Sequence, residues 1–129
     1  MTYWYLDTSA ALKLLVEERE SVAVVEFIER TQPDLVSSFL LETELRRAAQ
    51  RQPQISQSAV AGLLAGVGLL DLPASAFREA GLLPGANLRS LDALHLAAAI
   101  RANVDQILTY DARMTQAATA LGFTVLAPA

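Results

Sequence analysis

The chain of 129 residues is long enough to bury one core without staples, and having no cysteine it forms neither disulfides nor thiolate metal sites. A formal charge of −4 argues against a general polyanion binder, because non-specific nucleic-acid affinity comes from neutralising phosphates with Lys and Arg. It does not exclude a nuclease, since a cluster of metal-binding acids lowers the net charge by itself.

Tyr3 stands too close to Met1 to leave room for a basic and apolar secretion leader. The longest apolar run, Ala59 to Leu70, falls short of the ~20 residues of a membrane span. These features predict a cytoplasmic protein with one domain over residues 1–129.

Tyr3 to Leu6 has strand propensity and runs straight into Asp7. Ala10 to Val16 then reads as a helix that Thr8 or Ser9 can cap, and Glu17 to Glu20 as a charged break. A second amphipathic helix starts at Ser21 and ends before Gln32-Pro33. Leu35 to Ser38 reads as a short strand, with Ser38 capping a third helix from Phe39 to about Gln52.

Ser56 or Ser58 opens a helix whose glycines, at 62, 66 and 68, suggest close packing against a neighbour. This stretch and the second helix are candidate interface surfaces that serve equally well as core. Leu69 to Leu72 reads as a strand, Ala74 to about Leu83 as a helix, and Pro84 to Asn87 as a loop. Leu88 to Ala102 is the most strongly helical stretch. Ile107 to Tyr110 reads as a strand, Asp111 to Leu121 as a helix closed by Gly122, and Phe123 to Leu126 as the last strand. Helices alternating with short strands predict an α/β fold, a parallel sheet covered on both faces.

Of the fourteen acids, four resist assignment to a solvated surface. Asp92 lies in a helix that is apolar nearly all round, where an ionised carboxylate is expensive unless paired or bound to a cation. The alternative is a salt bridge to Arg89. Glu44 falls beside the inner stripe of Leu41, Leu45 and Ala48, whereas Glu42 points further round and can pair with Arg46. Asp7 and Asp111 each follow a strand; either is a plausible helix cap alone, yet two parallel strands ending in acids put both carboxylates on one sheet edge.

Such like charges repel by roughly 4 kcal/mol for a pair ~4 Å apart at an effective dielectric of ~20. A divalent ion relieves that repulsion, and an all-oxygen donor set favours Mg²⁺ or Mn²⁺ over zinc. A phosphatase of the haloacid-dehalogenase type would carry a second acid where Ser9 stands. A dinucleotide-binding enzyme would need a Gly-rich turn where Thr8-Ser9-Ala10 stands.

Tyr5-Leu6-Asp7-Thr8-Ser9-Ala10, Glu44-Leu45-Arg46-Arg47-Ala48, Leu88 through Ala97, and Leu108-Thr109-Tyr110-Asp111 with Gly122-Phe123-Thr124-Val125 form an ordered set across nearly the whole chain. That set resembles the PIN domain and, more closely, VapC-type toxins of bacterial toxin–antitoxin pairs. The resemblance implies a three-layer α/β/α sandwich with a five-stranded parallel sheet of order 3-2-1-4-5. It also implies Mg²⁺- or Mn²⁺-dependent endoribonuclease activity on structured RNA, homodimers, and inhibition by a cognate VapB-like antitoxin.

By motif, Asp7, Glu44, Asp92 and Asp111 are the catalytic, metal-holding acids, with Thr8, Ser9 or Thr109 as candidates for hydrogen-bonding support. His95, the one histidine, reads as a packed imidazole outside the site. Arg46, Arg47 and Arg113 are candidates for RNA phosphates, Arg46 being equally suited to Glu42. The expected chemistry is in-line attack of a metal-activated water, leaving a 3′-hydroxyl and a 5′-phosphate. The alternative is a catalytically silent PIN-like fold that binds protein or RNA.

Overall fold

The computed structural model describes residues 2–129. Its elements are β1 (Tyr3–Leu6), α1 (Thr8–Leu15), α2 (Ser21–Thr31), β2 (Asp34–Ser38), α3 (Phe39–Arg51), α4 (Gln57–Leu64), β3 (Gly68–Leu70), α5 (Ala74–Gly81), α6 (Ser90–Arg101), β4 (Gln106–Leu108), α7 (Ala112–Ala120) and β5 (Thr124–Leu126). The strands form one sheet in the order β3-β2-β1-β4-β5. Every pairing is parallel, with Tyr5 opposite Val36 on one side and Ile107 on the other. The expected order 3-2-1-4-5 is the one found.

Alternation along β1 separates the two helical layers. Trp4 and Leu6 face a core shared with Ala11, Val24, Leu41, Leu45 and Val60, from α1 to α4. Tyr5 faces the opposite core with Leu96, Ile107, Met114 and Ala118, from β4, α6 and α7. The inner stripe read for α3 holds, since Leu41, Leu45 and Ala48 are its buried residues. No helix among the described residues is long and apolar enough to cross a membrane.

Several boundaries differ from expectation. α1 begins at Thr8, so Asp7 itself is its N-cap and accepts from the Ser9 backbone N–H at 3.4 Å. β4 ends at Leu108, which leaves Thr109 and Tyr110 between strand and acid. α6 begins two residues late, at Ser90, because Leu88 belongs to a turn closed by its N–H on the Gly85 carbonyl. Gly62 does not mark close packing, since a Cβ added there would meet nothing within 4 Å, and at Gly66 and Gly68 a Cβ would make ordinary contacts no nearer than 3.6 Å. Val60 and Leu64 of this stretch and Val24 of α2 are core, while Val22 of α2 is 64% exposed.

Candidate active site

The chain runs from β1 outward to β2 and β3, then crosses back to β4 on the other side of β1. The C-terminal ends of β1 and β4 therefore flank the point where strand order reverses, the usual place for a ligand crevice in an open parallel sheet. Asp7 follows β1 directly, and its backbone N–H continues the ladder onto the Leu108 carbonyl at 3.1 Å.

Asp7 is only 5% exposed, so its charge has to be satisfied locally. Two hydroxyls do this at one oxygen: Ser9 Oγ and Thr109 Oγ1 each donate to Oδ2 at 2.7 Å. Those hydroxyls also organise the facing loop, because Ser9 Oγ accepts from the Tyr110 N–H at 2.9 Å and Thr109 Oγ1 from the Asp111 N–H at 3.1 Å. The other oxygen of Asp7, Oδ1, receives no hydrogen bond from the described residues.

Asp111 is the N-cap of α7, accepting from the Met114 N–H at 2.8 Å through Oδ1. The cap role and a site role are compatible, since Oδ2 remains uncommitted on an exposed residue. Asp92 lies in the first turn of α6 and is partly buried. The alternative salt bridge to Arg89 is not formed. Burial pushes the Asp92 carboxyl up, and the negative charges of Asp111 and Asp7 push it further, against weaker opposing effects of His95 and the Arg89 backbone. Three acids from three separate segments thus feel one another at this edge.

Glu44 enters from α3 and is held differently. Thr8 Oγ1 donates to its Oε1 at 2.8 Å, and His95 Nε2 lies 2.6 Å from the same oxygen. Burial raises the Glu44 carboxyl, but the hydrogen bond and charge of His95, with the Thr8 hydroxyl, outweigh burial and leave it below its ordinary value. Glu42 pairs instead with Arg46 at 2.8 Å, as expected from the i,i+4 spacing. Glu44 therefore joins the edge through its neighbours; its charge is not among those that raise Asp92.

His95 is packed as expected, 2% exposed, but its partners were not legible in the sequence. Nδ1 lies 2.7 Å from the Tyr5 hydroxyl, and the two rings meet edge to face with centroids 5.7 Å apart. The Tyr5 hydroxyl also lies 3.2 Å from Ser38 Oγ. Burial drives the Tyr5 phenol far above its usual range, so it stays a neutral hydrogen-bonding group. Strand alternation placed Tyr5 in a core, but the pairing with α6 depends on how two distant segments pack.

The donor set is anionic and all-oxygen, which suits Mg²⁺ or Mn²⁺ in kind, and the crowding felt by Asp92 is an excess charge that a cation relieves. In the side-chain arrangement described, however, no three His, Asp or Glu residues among the described residues stand close enough to hold one ion. The four acids gather at one sheet edge without forming a closed cage.

A family model described as PIN domain matches residues 4–120. The chain is 42% identical over 126 residues to Ribonuclease VapC46 of Mycobacterium tuberculosis, and 38% identical over 129 residues to Ribonuclease VapC35 of the same species; each match covers 96% of both chains. Among solved structures, Mycobacterium tuberculosis VapC20, a sarcin–ricin-loop-cleaving toxin, superposes with a TM-score of 0.73 at 16% identity, covering 98% of this chain and all of that one. DNA-bound VapBC from Salmonella typhimurium gives a TM-score of 0.71 at 16% identity, covering 98% of each chain. Strand order, the motif-bearing acids and these full-length matches agree: the chain belongs to the PIN-domain family, as a VapC-type member.

Proposed function

We propose that this chain is the endoribonuclease toxin of a VapBC-type toxin–antitoxin pair, restrained by a VapB-like antitoxin and acting as a homodimer on RNA. The relatives named ribonucleases and the likeness to a VapBC complex support this reading. The observation that supports it most is the raised Asp92 carboxyl, pushed up first by burial and then by the charges of Asp111 and Asp7 beside it, an excess of negative charge that a bound cation would relieve.

The working residues are Asp7, Glu44, Asp92 and Asp111, which would hold Mg²⁺ or Mn²⁺. When bound, the ion neutralises charge on the scissile phosphate and activates water, so no protein nucleophile is required. The chain's own part is orientation. Ser9 and Thr109 tie down one oxygen of Asp7, Thr8 and His95 one oxygen of Glu44, and the Met114 N–H one oxygen of Asp111. Each of these acids thereby presents a single uncommitted oxygen.

The alternative is a catalytically silent PIN-like fold that binds protein or RNA. Incubating antitoxin-free protein with total cellular RNA, with Mg²⁺ or with chelator, separates the two. New 5′-phosphate ends that need the metal support the nuclease; intact RNA in both samples supports the binding module.

A further inference from the structure

One face of α3 follows a four-three-four spacing, Leu40, Glu44, Arg47 and Arg51, which puts these side chains in a single row. Glu44, Arg47 and Arg51 line one cleft of about 400 Å³ together with Thr8, Leu40 and Leu91. Thr8 adjoins Asp7, so the cleft opens from the acidic edge.

The arginines of α3 are not equivalent. Arg46 is committed, donating to Glu42 at 2.8 Å and to Gln57 at 3.1 Å. Arg47 and Arg51 are exposed and form no ion pair or hydrogen bond with any described residue. Arg51 lies in the last turn of α3, where the helix dipole favours a cation, yet that interaction leaves its guanidinium donors free. Two uncommitted forks, one helical turn apart, thus stand beside a carboxylate of the site in a chain whose net charge is −4.

We infer that Arg47 and Arg51 form a subsite for the RNA backbone, holding phosphates beside the scissile one along α3. This rests on the ribonuclease reading. An acidic chain that binds RNA needs local cations, and planar guanidinium groups suit bidentate phosphate contact. The apolar floor of Leu40 and Leu91 leaves room for sugar and base edges without competing for the phosphates.

The test uses the full chain with Asp7→Asn to prevent cleavage, a labelled unstructured RNA oligonucleotide, and anisotropy titrations over a KCl series without divalent ions. Single-strand binding weakens with salt by a log–log slope of about 0.7 per neutralised phosphate. Adding Arg47→Ala and Arg51→Ala should therefore flatten the slope by about 1.4. Arg47→Lys with Arg51→Lys should restore most of it, and Arg46→Ala should leave it unchanged. An unflattened slope in the double alanine variant overturns the subsite. So does a variant that loses binding to its co-purified antitoxin while keeping the RNA slope, which would assign the arginines to an acidic protein partner. If the Asp7→Asn protein itself binds no RNA, the ribonuclease reading fails, and the subsite with it.

Discussion

His95 Nε2 lies 2.6 Å from Glu44 Oε1, so the one imidazole of the chain joins α6 to the α3 carboxylate of the candidate site. Glu44 held below its ordinary value is an acceptor, so Nε2 carries a hydrogen toward it whichever way the Tyr5 hydroxyl hydrogen points. Replacing His95 by Ala removes one partner from the buried Tyr5 hydroxyl and one from the partly exposed Glu44 carboxylate, each of which keeps another, and should cost about 1–3 kcal/mol in all. Urea unfolding should show a loss of at least that size, and a variant as stable as the parent would contradict the linkage.

The same contact sets a pH dependence. A carboxyl held below its unfolded value contributes stability above that value and loses it as pH falls through the folded value. The stability difference between the parent and Glu44→Gln should therefore be present at neutral pH and shrink on acidification below 4.5, the ordinary value for glutamate. Urea midpoints for both proteins across this range measure it; a gap that widens toward acid would contradict the assignment.

Asp92 has the opposite sign. A carboxyl raised in the folded state favours folding when protonated, and that contribution is lost as pH rises through its folded value. At neutral pH without metal the Asp92 charge is a burden, so Asp92→Asn should raise the melting temperature in chelator and reduce the further rise produced by Mn²⁺. A variant that melts lower with and without Mn²⁺ would mark Asp92 as a structural acid.

Thr109 is fully buried, and its hydroxyl donates to Asp7 while accepting from the Asp111 N–H. Thr109→Val keeps the volume but removes a hydrogen bond to a charged group, which should lower unfolding free energy by about 1.5–3 kcal/mol. Cleavage should fall about 10–100-fold, as when groups that orient metal ligands are removed. Unchanged cleavage would show that Asp7 needs no such orientation.

Much of this was legible in the amino-acid sequence, for local reasons. Asp92 stood out because a charge in an apolar helix has no cheap local partner, and Glu44 separated from Glu42 because helical spacing is a short-range property. The strand order followed from family resemblance. What escaped were long-range pairings: that His95 meets Glu44, that Tyr5 backs His95, and that Arg51 shares a cleft with Thr8. Each depends on helix rotation across a packed core, which periodicity leaves uncertain by tens of degrees. Asp111 was read correctly as following β4, but strand propensity in Thr109-Tyr110 hid the turn whose hydroxyl links it to Asp7.

If the acids around Asp7 cut RNA, Asp7→Asn should end cleavage. Mapping 5′-phosphate ends in total cellular RNA incubated with Mg²⁺ and either the parent or Asp7→Asn, each purified free of antitoxin, measures this. Discrete new ends should form with the parent and none with the variant, although the two proteins should share the same folded circular-dichroism spectrum. A variant that cuts at the same sites as efficiently as the parent would contradict it.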